Sequence, residues 1–174
     1  PCRGEVRAMP VLEYLVVATA LVLMPWLAAR LLADGPDLPD PRATFEAARA
    51  RHTRRVLTAA LLRHGDVGLP VLAGTTGPSR TVGRVVPLRE VVGSVDRGRH
   101  PFDRCFDPTD DTAWARFAGV LAARNAGLEL PPVLLHQGRD GYYVVDGHHR
   151  VAVARALGDT EIRAEVAVDP SLGA

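Results

Sequence analysis

The sequence predicts an α/β (α+β) domain, a mixed sheet with packed helices, preceded by a helical N-terminal extension. Three observations predict it. β-prone runs at Thr81–Leu88, Leu130–His136, Tyr142–Val145 and Glu161–Val168 alternate with helix-forming segments. Trp114, Phe117, Ala118 and Leu121 fall at i, i+3, i+4 and i+7, which gives one helix a clear apolar stripe. The third observation is the junction "YYVVDGHHRVAVARALG", where an apolar run passes through Asp146-Gly147 into a helical run that Gly158 is placed to stop.

In chain order, Val11 to Ala29 reads "VLEYLVVATALVLMPWLAA", with Glu13 as its charge near one edge. A bilayer needs roughly 20 apolar residues, so residues 11–29 are long enough for a membrane anchor, with Trp26 and Arg30 as interfacial flanks. The competing reading is a soluble segment, or upstream sequence carried by the choice of start codon, since the chain begins at Pro1 with Met9 and Met24 inside it. "DGPDLPDPR" is a linker that no helix would cross. Ala43 to Arg63 is a helix with a locally basic surface: six arginines lie between Arg42 and Gly65 against one acid, Glu46. A solvated face is the first expectation, and weak, sequence-indifferent contact with nucleic-acid or lipid phosphates the second. "GLPVLAGTTGPS" reads as a second linker. The expected organisation is thus residues 1–40, apolar segment and linker; 41–79, basic helix and linker; and 80–174, the folded domain.

Within that domain, "TVGRVVPL" is a strand stopped by Pro87, and a long loop follows, "GSVDRGRHPFDRCFDPTDD". Asp110 can cap the helix carrying Trp114, which Gly127 ends. "LPPVLLH" and Tyr142–Val145 form a hairpin about Gly138–Gly141, and Glu161–Val168 closes the sheet.

Composition excludes little. The formal charge is +1, and all 21 basic residues are arginine, a bias that assigns no function. Cys2 and Cys105 make neither a disulfide framework nor a zinc site, so a reducing cytoplasm is the simpler home for the folded part, with membrane anchoring as the alternative. His148 and His149 are adjacent, and neighbouring helix positions do not face one another, so no metal site is expected.

The junction carries the chemistry. A glycine turn into a helix leaves backbone N–H groups without intrahelical acceptors at the positive end of the helix dipole. Arg150, in the first turn, could add a planar fork of donors to a phosphate. The structural alternative makes Asp146 an N-cap, Gly147 a turn residue and Arg150 a surface charge.

The segments "RVVPLREVVGSVDRGRHPFD", "FAGVLAARNAGLELPPVLLHQGRDGYYVVDG" and "GHHRVAVARALG" resemble the ParB N-terminal domain, within the ParB and sulfiredoxin superfamily, over about Thr81 to Val168. The resemblance implies that Gly147, His148, His149 and Arg150 hold the phosphates of a nucleoside di- or triphosphate with Mg²⁺. Departures narrow it. Sulfiredoxin's G-C-H-R box has a cysteine where this chain has His148. Partition proteins carry G-E-R-R, N-x-x-R and a helix-turn-helix, for which the chain leaves no room after the box. "DGHHR" fits the D-G-H-x-R form of the free-serine kinases, whose catalytic acid comes from the loop after the first strand, where Glu90, Asp96 and Asp103 are offered without a clean match. The leading expectation is a ParB-like nucleotide-binding module, a switch or a nucleic-acid-associated protein. The alternative is a small-molecule phosphotransferase with Asp146 or a loop acid as its base. A nuclease finds no metal-carboxylate cluster.

Overall fold

The computed structural model describes residues 38–62, 66–72, 80–95 and 100–168. The apolar stretch 11–29 lies outside them. No helix among the described residues is long and apolar enough to cross a membrane.

Helix α1 spans Pro41–Leu62 and begins under a side-chain cap, the Ala43 N–H donating to Asp40 Oδ2 at 2.7 Å. Strand β1 (Arg80–Pro87) leads through a 3-10 turn into β2 (Val91–Ser94). After the long loop, Asp110 accepts from Thr112 N at 2.9 Å, so a 3-10 turn opens α2 (Trp114–Asn125). Strands β3 (Val133–Gln137) and β4 (Tyr142–Asp146) form the expected hairpin, closed by Gly138 N to Gly141 O at 2.8 Å. Helix α3 (His148–Ala156) and strand β5 (Glu161–Val168) complete the fold.

The five strands make one mixed sheet in the order β1-β5-β3-β4-β2. The β1/β5 and β3/β4 pairs are antiparallel, while β3/β5 and β2/β4 are parallel. Phe117 and Leu121 of α2 and Val151 and Val153 of α3 are fully buried with Val133, Leu135, Val144 and Val166 of the sheet. The stripe read from sequence is therefore core.

Two elements depart from expectation. The sequence reading has no strand at β2 and starts the long loop at Gly93: four residues carry little local signal, and pairing with β4 is what makes them a strand. Part of the second linker is also structured, because Leu72 N donates to Ser94 O at 2.9 Å and Ser94 N to Pro70 O at 2.8 Å.

Helix α1 belongs with the sheet. Pro39–Ala174 form one compact unit, and Phe45 is fully buried, edge-on to Trp114 and Phe117 with centroids 5.2 and 5.3 Å away. A boundary at residue 80 would cut through this core. The basic surface of α1 is divided: Arg42 and Arg54 are exposed, while three other arginines turn to acids of the domain. Arg49 pairs with Asp111, Arg51 reaches Asp107 at 2.9 Å, and Arg55 reaches Asp103 at 2.7 Å and also pairs with Asp107.

Candidate functional site

Asp146 ends β4 and Gly147 starts the turn into α3, and the junction lies along a cleft of about 870 Å³. Asp146, Gly147, His148, His149 and Arg150 all line it. His100, Phe102, Thr112 and Arg116 line it as well.

Gly147 occupies the N-cap position at φ 101°, ψ 23°, the left-handed region, and no side chain caps the helix. A Cβ there would stand 2.7 Å from Val133 Cγ1 and 3.1 Å from the Arg150 guanidinium carbon, so only glycine fits. The first-turn N–H groups of α3 thus have neither a side-chain cap nor an intrahelical acceptor, in a turn whose residues line the cleft. Asp146 is not the cap. Its side chain is exposed, and Oδ2 accepts from Arg150 Nη2 at 2.6 Å.

The two histidines diverge, as neighbours on a helix must. The His148 ring stacks on His100 at 4.2 Å with planes 18° apart, and its Nε2 lies 2.8 Å from Ser94 Oγ. Ser94 is fully buried, and the same hydroxyl stands 3.2 Å from His100 Nε2 and 3.3 Å from Val144 O. The pair therefore ties α3 to β2 and the loop. His149 is half-buried and meets Phe102 edge-on at 5.0 Å. Burial, then the charge of Arg116 and the neighbouring His100, hold its imidazole below the ordinary value, which keeps it neutral near pH 7.

Arg150 departs most from the sequence reading. Nη1 donates to Pro131 O at 2.6 Å and Pro132 O at 2.7 Å, while Nη2 holds Asp146. The guanidinium thus ties the Pro131-Pro132 segment to the start of α3 and is already engaged. Arg116 is the cation that sequence reasoning missed. It is exposed on α2, lines the cleft and makes no ion pair among the described residues. Its position off the apolar stripe was the available signal. His100 and Ser94 had none, since only folding brings them to α3.

The acids considered as bases fall elsewhere. Glu90 sits in the turn after β1, 3.4 Å from Arg89. Asp96 lies outside the described residues. Asp103 is buried and outside the cleft lining. Burial alone would raise its carboxyl, but bonds from Arg55 and His52 and from the N–H groups of Asp107 and Cys105 outweigh burial and hold it below the usual carboxylate range. Asp146 is the carboxylate that reaches the cleft. Among the described residues no three His, Cys, Asp or Glu side chains converge as a metal site.

No family model and no curated protein matches the chain. Among solved structures the chain is similar to the crystal structure of sulfiredoxin from Arabidopsis thaliana, at 19% identity over 52% of this chain and 92% of that one, with a TM-score of 0.33. The described residues form a mixed α/β fold with a five-stranded mixed sheet and three α-helices.

Proposed function

We propose that the cleft binds the phosphates of a nucleotide, a nucleoside di- or triphosphate carried with Mg²⁺, and that the protein is a nucleotide-binding module. The observation that carries this reading is the uncapped start of α3 at Gly147, opening into the cleft beside Arg116. The resemblance of "GHHRVAVARALG" to a phosphate-binding box supports it independently. Backbone N–H groups and Arg116 would hold phosphate oxygens, and the neutral His149 can give or accept one hydrogen bond there. The Mg²⁺ would arrive coordinated by the phosphates, as it commonly does when a protein offers few carboxylates.

Thermal shift of the full-length chain with CTP, ATP, ADP and GTP, each with Mg²⁺, tests the reading. At least one should raise the melting temperature, and titration calorimetry should place Arg116→Ala roughly tenfold to a hundredfold weaker. Four nucleotides without effect would end it. A small-molecule phosphotransferase is the second reading, favoured by one observation: Asp146 presents an exposed carboxylate to the same cleft, within which it could take a proton from an acceptor hydroxyl. Phosphoserine formed from free serine and ATP, and lost in Asp146→Asn, would select it.

A further inference from the structure

The part of the cleft wall that packs against the start of α3 is built by His100, Pro101 and Phe102, and those residues belong to a loop with no regular secondary structure. Something must hold it. Asp103, next in the chain, is 1% exposed and has both carboxylate oxygens engaged. Oδ1 accepts from Cys105 N at 2.8 Å and Asp107 N at 3.0 Å, which folds the loop on itself. Oδ2 accepts from Arg55 Nη2 at 2.7 Å and lies 2.9 Å from His52 Nδ1, both on α1 and about 50 residues away in sequence. Asp107, 4% exposed, bonds Arg51 at 2.9 Å and pairs with Arg55 as well.

The loop is thereby pinned, and one of its residues is strained. Phe106 lies in the left-handed region at φ 61°, unusual for an aromatic residue, and is fully buried beside His148 and under the Arg155 guanidinium. Two buried carboxylates on one loop would not be tolerated without cations, and α1 supplies them. Phe102 and His100, the residues that touch His149 and His148, flank or directly precede this anchored point.

We propose that Arg55 and His52 are positioning residues of the cleft, acting through Asp103 on the His100–Phe102 wall, so that the site is complete only when α1 is docked. The inference rests on the nucleotide reading for its ligand, but its geometry can be judged without one. In the 174-residue chain, the NMR contact between the Phe102 and His149 rings reports the wall, and that between Phe45 and Phe117 reports the core. Arg55→Gln is expected to weaken the first contact severalfold while the second persists, and His52→Gln to do so to a lesser degree. Pyrophosphate, used as the probe, should bind the variants at least fivefold more weakly than the parent wherever the parent binds it. Should Arg55→Gln not fold, His52→Gln decides by the same ring contact. Folded variants that keep the Phe102–His149 contact at parental strength overturn the proposal. A parent that binds no pyrophosphate counts against the nucleotide reading alone, since the ring contacts still answer for the positioning.

Discussion

Gly147 and Arg150 lie three positions apart at one junction, yet their environments give them different duties. Gly147→Ala must place a methyl 2.7 Å from Val133 Cγ1 at a φ that L-residues avoid, and the cost should be about 2–4 kcal/mol in urea unfolding. Arg150→Ala removes two bonds to proline carbonyls and the Asp146 contact. Because Pro131 and Asp146 are exposed and water can replace the guanidinium there, a loss of about 1–2 kcal/mol is expected. A change in stability equal to that of a neutral surface substitution would return Arg150 to the role of a free ligand-binding cation. His149 adds a pH dependence of known sign. Its pKa is lower in the folded chain than the ordinary 6.5, so the folded state binds fewer protons than the unfolded one. Stability from this group is complete above about pH 6.5 and falls as pH drops toward the folded value. Its ring resonances should titrate below the ordinary imidazole range, and an upward move on adding pyrophosphate would place the anion beside it.

At the scale of elements, α1 is the unit whose role changed most between sequence and structure. Its arginines suggested a surface, whereas Phe45 and Ala48 enter the core and Arg51 and Arg55 neutralise buried acids. A fragment covering 39–174 should therefore unfold cooperatively, while one beginning at residue 80 should lose its near-ultraviolet circular dichroism. Omitting α1 uncovers the Trp114 and Phe117 contacts, worth about 3–5 kcal/mol for a buried phenylalanine, and leaves Asp103 and Asp107 without cations. Equal melting transitions for the two fragments would show that α1 is dispensable to the core. The Asp103 carboxyl adds an acid limit: its pKa is lowered on folding, so its contribution is present above the unfolded value of 3.8 and disappears as pH falls through the folded one.

For the molecule as a whole, the distribution of charge matters more than its near-zero sum. Three arginines of α1 that could have met phosphate backbones are turned to Asp111, Asp107 and Asp103. Binding of duplex DNA by the full-length chain should therefore be weak and indifferent to sequence. Between about 50 and 200 mM salt it should fall to the limit of a fluorescence-anisotropy titration. A protected footprint at one site in physiological salt would reveal a reading element that the described residues lack.

The local part of this fold was legible because it depends on neighbours in the chain. The stripe from Trp114 to Leu121 keeps helical spacing whatever it packs against. The run from Tyr142 to Val145 meets a glycine that only a turn would favour, and the "DGHHR" junction marks the helix start as a candidate anion site. The non-local part was not. β2 exists because β4 pairs with it, and His100 and Ser94 meet His148 because β2 lies beside β4. The engagement of Arg150 with Pro131 and Pro132, the exposure of Arg116 over the cleft, and the pairing of α1 with two loop acids all join residues far apart in sequence. A side chain's type sets which bonds it can make, but which partner it finds is decided by the packing of the sheet and helices, and that is fixed only when the whole core closes.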